Sequence, residues 1–74
     1  MSRLIRMDNS GHTTLAQWTS EDAEALERAA AAFRQELDRG YLGVVALPGG
    51  GAEHVRELPA DAPLVILRRP IAGG

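Results

Sequence analysis

The spacing of apolar and polar positions changes along this chain, and each change marks an element. Arg3 to Met7 is apolar-rich, with Leu4, Ile5 and Met7 set among arginines. Asp8-Asn9-Ser10-Gly11 is a turn cluster, and Thr13 to Trp18 supplies β-branched and aromatic residues. A strand, a short Asn/Gly turn and a second strand predict a hairpin. A helical period follows. Leu26, Ala30, Phe33 and Leu37 recur at spacings of four and three and so share one face of a helix reaching about Arg39. Glu24 with Arg28, and Arg34 with Asp38, are spaced for i,i+4 pairs on the other face. Thr19 reads as the N-cap, with Asp22 at the third helical position close to a capping box. Glu21 and Asp22 suit the positive end of the helix dipole, Trp18 and Ala23 are placed for a hydrophobic staple, and Gly40 is the expected terminating glycine.

Beyond Gly40 the pattern returns to strands. Tyr41 to Leu47 is one, centred on Val44 and Val45, and Pro48-Gly49-Gly50-Gly51 breaks it. His54 to Leu58 reads as a short strand bounded by Pro59, and Pro63 opens a last strand from Leu64 to Arg68 or Arg69. Pro70 has no N–H for a ladder, so pairing is expected to stop before it. The order ββαβ(β)β predicts an α+β fold: a mixed sheet with the two terminal strands parallel at its centre and one helix packed diagonally across it. The crossover through the helix is expected to be right-handed. The domain is expected over residues 1–69, with residues 70–74 as a tail.

Composition narrows the chemistry. A chain of 74 residues makes one small domain, and domains of this size bury only about 60% of their unfolded surface. There is no cysteine, so disulfides and thiolate metal sites are excluded, and His12 and His54 have no metal-ligand spacing. The net charge of −2 offers no field for nucleic acid. No apolar run reaches membrane-spanning length, and Met1-Ser2-Arg3-Leu4-Ile5-Arg6 turns polar too soon for a signal peptide, so a cytoplasmic protein without membrane attachment is expected. Pro48 to Ala52 lacks the Gly-Lys-Ser/Thr of a phosphate loop, and Ser10 and Ser20 have no histidine partner. Glu21, Asp22, Glu24 and Glu27 make a solvated helix start, and one Trp, one Tyr and one Phe make no stacking platform. No catalytic residue, no metal ligand and no bound cofactor is therefore expected.

All eight basic residues are arginine. A GC-rich coding sequence would produce that bias. A protein coupled through its own terminus to amines would also gain by displaying no ε-amine, since lysine-linked chains of the protein on itself cannot then form.

The tail carries the functional signal. Leu64-Val65-Ile66-Leu67-Arg68-Arg69 feeds through Pro70, Ile71 and Ala72 into Gly73-Gly74. Glycine has no Cβ, so a Gly-Gly carboxylate can enter a channel too narrow for any other residue. With the opening hairpin, the helix starting at Thr19-Ser20-Glu21-Asp22 and the strand entering a glycine turn, this ending resembles the ubiquitin-like β-grasp family over essentially the whole chain. In that family the last carboxylate is adenylated, passed to a cysteine as a thioester and joined to an amine. The resemblance implies that Gly74 is the point of covalent attachment and that Gly73 clears the channel. It also implies that Ile71 is an apolar anchor and that Arg68 and Arg69 steer the arm. ATP would be used by the partner and not held by this chain. The implied partners are an adenylating activating enzyme, a conjugating enzyme with a reactive cysteine, target proteins and a zinc-dependent deconjugating peptidase, a set associated in bacteria with defence against phage. Pro70, the long helix and the short segment before Pro63 mark a divergent bacterial member. Val44 and Ile66 are the candidates for the family's exposed apolar patch, and strand register decides whether either faces the core instead.

Two other functions fit the same residues. A sulfur carrier, similar to the small subunit of molybdopterin synthase, would convert the adenylated terminus to a thiocarboxylate. An interaction module would not use its glycine tail at all.

Overall fold

The computed structural model describes residues 1–70. It is an α+β arrangement in which one helix packs on a five-stranded mixed sheet. In chain order the elements are β1 (Ser2–Asp8), β2 (Gly11–Trp18), α1 (Ala23–Asp38), β3 (Leu42–Ala46), β4 (Ala52–Val55) and β5 (Leu64–Arg68). The sheet order is β2-β1-β5-β3-β4. β1 and β5 pair in parallel, from Arg3↔Leu64 to Arg6↔Leu67, and the other three pairings are antiparallel. β5 thus joins two hairpins that are far apart in sequence.

Alternation along the strands divides the sheet into two faces. Leu4, Trp18, Val45, Val65 and Leu67 point toward α1 and form the core with Ala29 and Phe33. The β1–β2 register shifts between Leu4 and Ile5, where Leu4 pairs with Ala16 and Ile5 with Thr14. The extra residue at this bulge, Leu15, lets both Leu15 and Ala16 pack on the core. Trp18 is 2% exposed, and its Nε1 donates to the Ala60 carbonyl oxygen at 2.9 Å, tying the end of β2 to the loop before β5. Gly43 lies under the Phe33 ring: a Cβ there would sit 2.5 Å from Phe33 Cζ and 2.9 Å from the Val55 carbonyl oxygen.

Several local expectations are corrected. Asp22, not Thr19, caps α1, its carboxylate accepting from Ala25 N at 3.0 Å. Asp22 N donates to Thr19 O at 3.1 Å, so residues 19–22 form a turn and the helix starts one turn late. Trp18 therefore cannot staple onto Ala23; it joins the core instead. The helix face is centred on Ala29, Phe33 and Glu36, with Leu26, Ala30 and Leu37 half-buried at its margins. Among the described residues the ion pairs are Arg6–Glu36 and Arg39–Glu36, so Glu24–Arg28 and Arg34–Asp38 do not close. β4 begins at Ala52, ahead of the expected His54, because Leu47 N donates to Gly51 O and turns the chain straight back.

The helix terminus is as expected. Arg39 is the last residue with helical backbone, and Gly40 follows at φ 100°, a conformation that glycine adopts without strain. Gly40 N donates to Leu37 O and Tyr41 N to Glu36 O, the paired bonds of a Schellman motif. This motif fixes the position of Tyr41.

Candidate functional site

β5 occupies the middle of the sheet, and its last pairing is Leu42↔Arg68. The chain then leaves the sheet through Arg69 and Pro70, and Arg68, Arg69 and Pro70 are all exposed. Of the sequence-predicted arm residues, Arg68 and Arg69 stand together at this exit, while Ile71, Gly73 and Gly74 lie outside the described residues.

Three segments meet at the exit: the β1–β2 turn, the start of β3 and the end of β5. Met7, Asp8, Asn9, Tyr41, Arg68 and Arg69 line an open cleft of about 410 Å³. The Asp8 carboxylate accepts from Ser10 Oγ at 2.7 Å and from Ser10 N at 2.9 Å, closing the turn that forms one rim. These bonds, the hydroxyl's first and the amide's second, hold the Asp8 carboxyl below the usual aspartate range.

Tyr41 forms the opposite wall. Arg69 Cζ lies 5.3 Å from its ring centroid and Arg6 Cζ 5.9 Å, both within cation–π range. Arg6 points to the helix side of β1, where its Nη1 donates to Glu36 Oε1 at 2.9 Å. The Glu36 side chain is 9% exposed, and Arg39 Nη1 approaches the same oxygen at 3.8 Å. Arg6 Nε and Glu36 Oε2 are buried without a protein partner, so this pair is not fully satisfied. Arg6, Glu36 and Tyr41 escaped the sequence reading because they come from three elements. The one available signal was a lone tyrosine placed directly after a helix-ending glycine.

The sheet face away from α1 bears on the apolar patch. Val44 pairs with Ile66, and Ile66 with Ile5, making one row across three strands. Both candidates therefore face away from the core, but they differ in display: Val44 is only 6% exposed, while Ile66 is half-buried. More apolar surface is offered beside the arm, where Leu42 is 36% and Met7 48% exposed on either side of Arg68. The charged or titratable residues at outward strand positions are Arg3, His12, His54 and Arg68, with no carboxylate among them. This face is thus basic in a chain whose net charge is −2.

Among the described residues, no group of three or more His, Cys, Asp or Glu is arranged to hold a metal ion. No helix among them is long and apolar enough to cross a membrane. In comparisons with known proteins, no family model, no curated protein and no solved structure matches this chain.

Proposed function

We propose that this chain is a ubiquitin-like β-grasp protein modifier, activated at Gly74 and conjugated to target proteins. The observation that carries the proposal is where the arm begins. Arg68, Arg69 and Pro70 leave the end of a central strand on the exposed rim of the sheet, four residues short of Gly74. An arm rooted there continues a strand that is hydrogen-bonded on both sides, and its exposed first residues are open to a partner. The sheet order, with parallel β1 and β5 inside and one helix across a face, is compatible with a β-grasp. Met7 and Leu42 beside Arg68, with Arg3, His12 and His54 at the other outward strand positions that carry ionisable groups, suit an apolar, acid-rimmed partner surface.

The chemistry is simple on this side. The Gly74 carboxylate attacks ATP on the activating enzyme, forming an acyl adenylate and releasing pyrophosphate. A cysteine thiolate displaces AMP to give a thioester, and a target amine displaces the thiolate to give an amide. The modifier supplies only the carboxylate and its approach, and the absence of lysine prevents lysine-linked chains of the protein on itself.

The test is to incubate the protein with ATP and an adenylating activating enzyme from its native host, add a thiol trap, and record intact masses. A thioester at Gly74, and Gly74 amide-linked to other proteins in the native host, are the expected results. Sulfur replacing one terminal oxygen would assign the chain to sulfur transfer. Full function after deletion of Gly73 and Gly74 would leave only a binding role.

A further inference from the structure

We infer that Tyr41 is a positioning residue that sets the direction in which the C-terminal arm leaves the body, by holding the Arg69 guanidinium against its ring. The inference deepens the proposed function and rests on it for its purpose alone; the positioning itself is a property of the isolated chain.

Tyr41 is held from several sides. Its N–H donates to Glu36 O at 3.1 Å, following Gly40 in its positive-φ turn. Its ring packs against the core cluster, and Arg6 approaches it at 5.9 Å while bonded to Glu36. Glu36 therefore fixes both neighbours of the contact: its carbonyl holds the Tyr41 backbone and its carboxylate holds Arg6. Among the described residues, Arg69 has no comparable support. It lies one residue beyond the last strand pairing, directly before Pro70, and is exposed. Its guanidinium lies over the Tyr41 ring at 5.3 Å. Pro70 then fixes its own φ and biases Arg69 toward an extended backbone, so a direction set at Arg69 is carried as far as Pro70. The cleft beside Tyr41 leaves space for another arrangement of Arg69, so the contact is selective and not forced by crowding.

The full chain tests this through the Arg68–Arg69 bond, which trypsin can cut; proline protects the next bond. Cleavage requires Arg69 to leave the Tyr41 ring and the Leu42–Arg68 end of the ladder to open. Intact-mass kinetics should show residues 69–74 lost about two- to fivefold faster in Tyr41→Leu and in Arg69→Gln, the factor that an exposed cation–π contact supports. Tyr41→Phe should match the parent. The double variant Tyr41→Leu/Arg69→Gln should be no faster than either single change. Because Tyr41→Leu also alters packing, the side-chain protons of Arg69 give a second reading. They should carry an upfield ring-current shift in the parent and in Tyr41→Phe, and lose it in Tyr41→Leu. Unshifted Arg69 protons in the parent would overturn the inference, as would equal cleavage rates for Arg69→Gln and the parent. Either result would leave activation at Gly74 untouched. Conversely, absence of activation with the cleavage pattern intact would defeat the modifier reading and not the positioning.

Discussion

Adding a single methyl group at Gly43 should cost this protein a large part of its stability. Gly43 has no positive φ, so alanine is conformationally allowed and would by itself gain about 0.5–1 kcal/mol from reduced unfolded-state freedom. The space is what forbids it. The new Cβ would stand 2.5 and 2.6 Å from Phe33 Cζ and Cε1 and 2.9 Å from the Val55 carbonyl oxygen. Phe33 is 2% exposed and cannot swing into solvent, and the Val55 carbonyl belongs to the strand paired with Gly43. Overpacking of this kind costs about 1–3 kcal/mol, and two obstructions, one of them backbone, place Gly43→Ala near the upper end. We expect a net loss of about 2 kcal/mol. For a domain of this length the total is roughly 4–11 kcal/mol, and the melting temperature should fall by about 8–16 °C. Urea unfolding followed by the fluorescence of Trp18, the only tryptophan, would measure it. Phe33→Leu in the Gly43→Ala background should recover about 1 kcal/mol relative to additivity. A loss under about 0.5 kcal/mol, or strict additivity in the double variant, would refute the stated contact between β3 and the ring.

Three further predictions follow from local geometry. Asp22→Ala should cost about 1 kcal/mol in urea unfolding, while Thr19→Ala, at the cap position that the sequence suggests, should cost clearly less. Arg6→Met strands the nearly buried Glu36 carboxylate and should cost more than Glu36→Gln, which leaves an Arg6 side chain that is 25% exposed; about 3 kcal/mol against about 1 is expected, and the reverse order would count against the buried pair. Asp8 is held below the usual aspartate range in the folded state, so its contribution is full above the unfolded-state value and disappears as pH falls through the lowered folded value; carboxyl NMR should show the low midpoint, and Ser10→Ala should raise it.

Signals confined to neighbouring residues were readable in the sequence. Asn9-Ser10-Gly11 gave the first hairpin, Gly40 gave the end of the helix, and Pro63 and Pro70 bracketed the last strand. The start of the helix is not legible because Thr19 and Asp22 are both good caps, and only the turn closed by Asp22 N on Thr19 O leaves the cap to Asp22. Nothing in the sequence sets Glu36 apart from the other polar helix residues, because its partner Arg6 lies 30 residues away in the chain. The outward orientation of Val44 and Ile66 likewise waited on register, since a shift of one residue exchanges the two faces of a strand. At the candidate site, sequence alone placed Arg68 and Arg69 on the arm, but the wall against which Arg69 lies is built from separate elements.

The parallel pairing of the first and last strands has a mechanical consequence. β1 begins at one pole of the sheet and β5 finishes at the other, so tension applied between the two chain ends acts along their shared ladder. Those hydrogen bonds are loaded in shear and must yield together, whereas an antiparallel pair gripped at one end would peel open bond by bond. Under the proposed function, a partner that pulls on the arm while the β1 end is held would load the body in its most resistant direction.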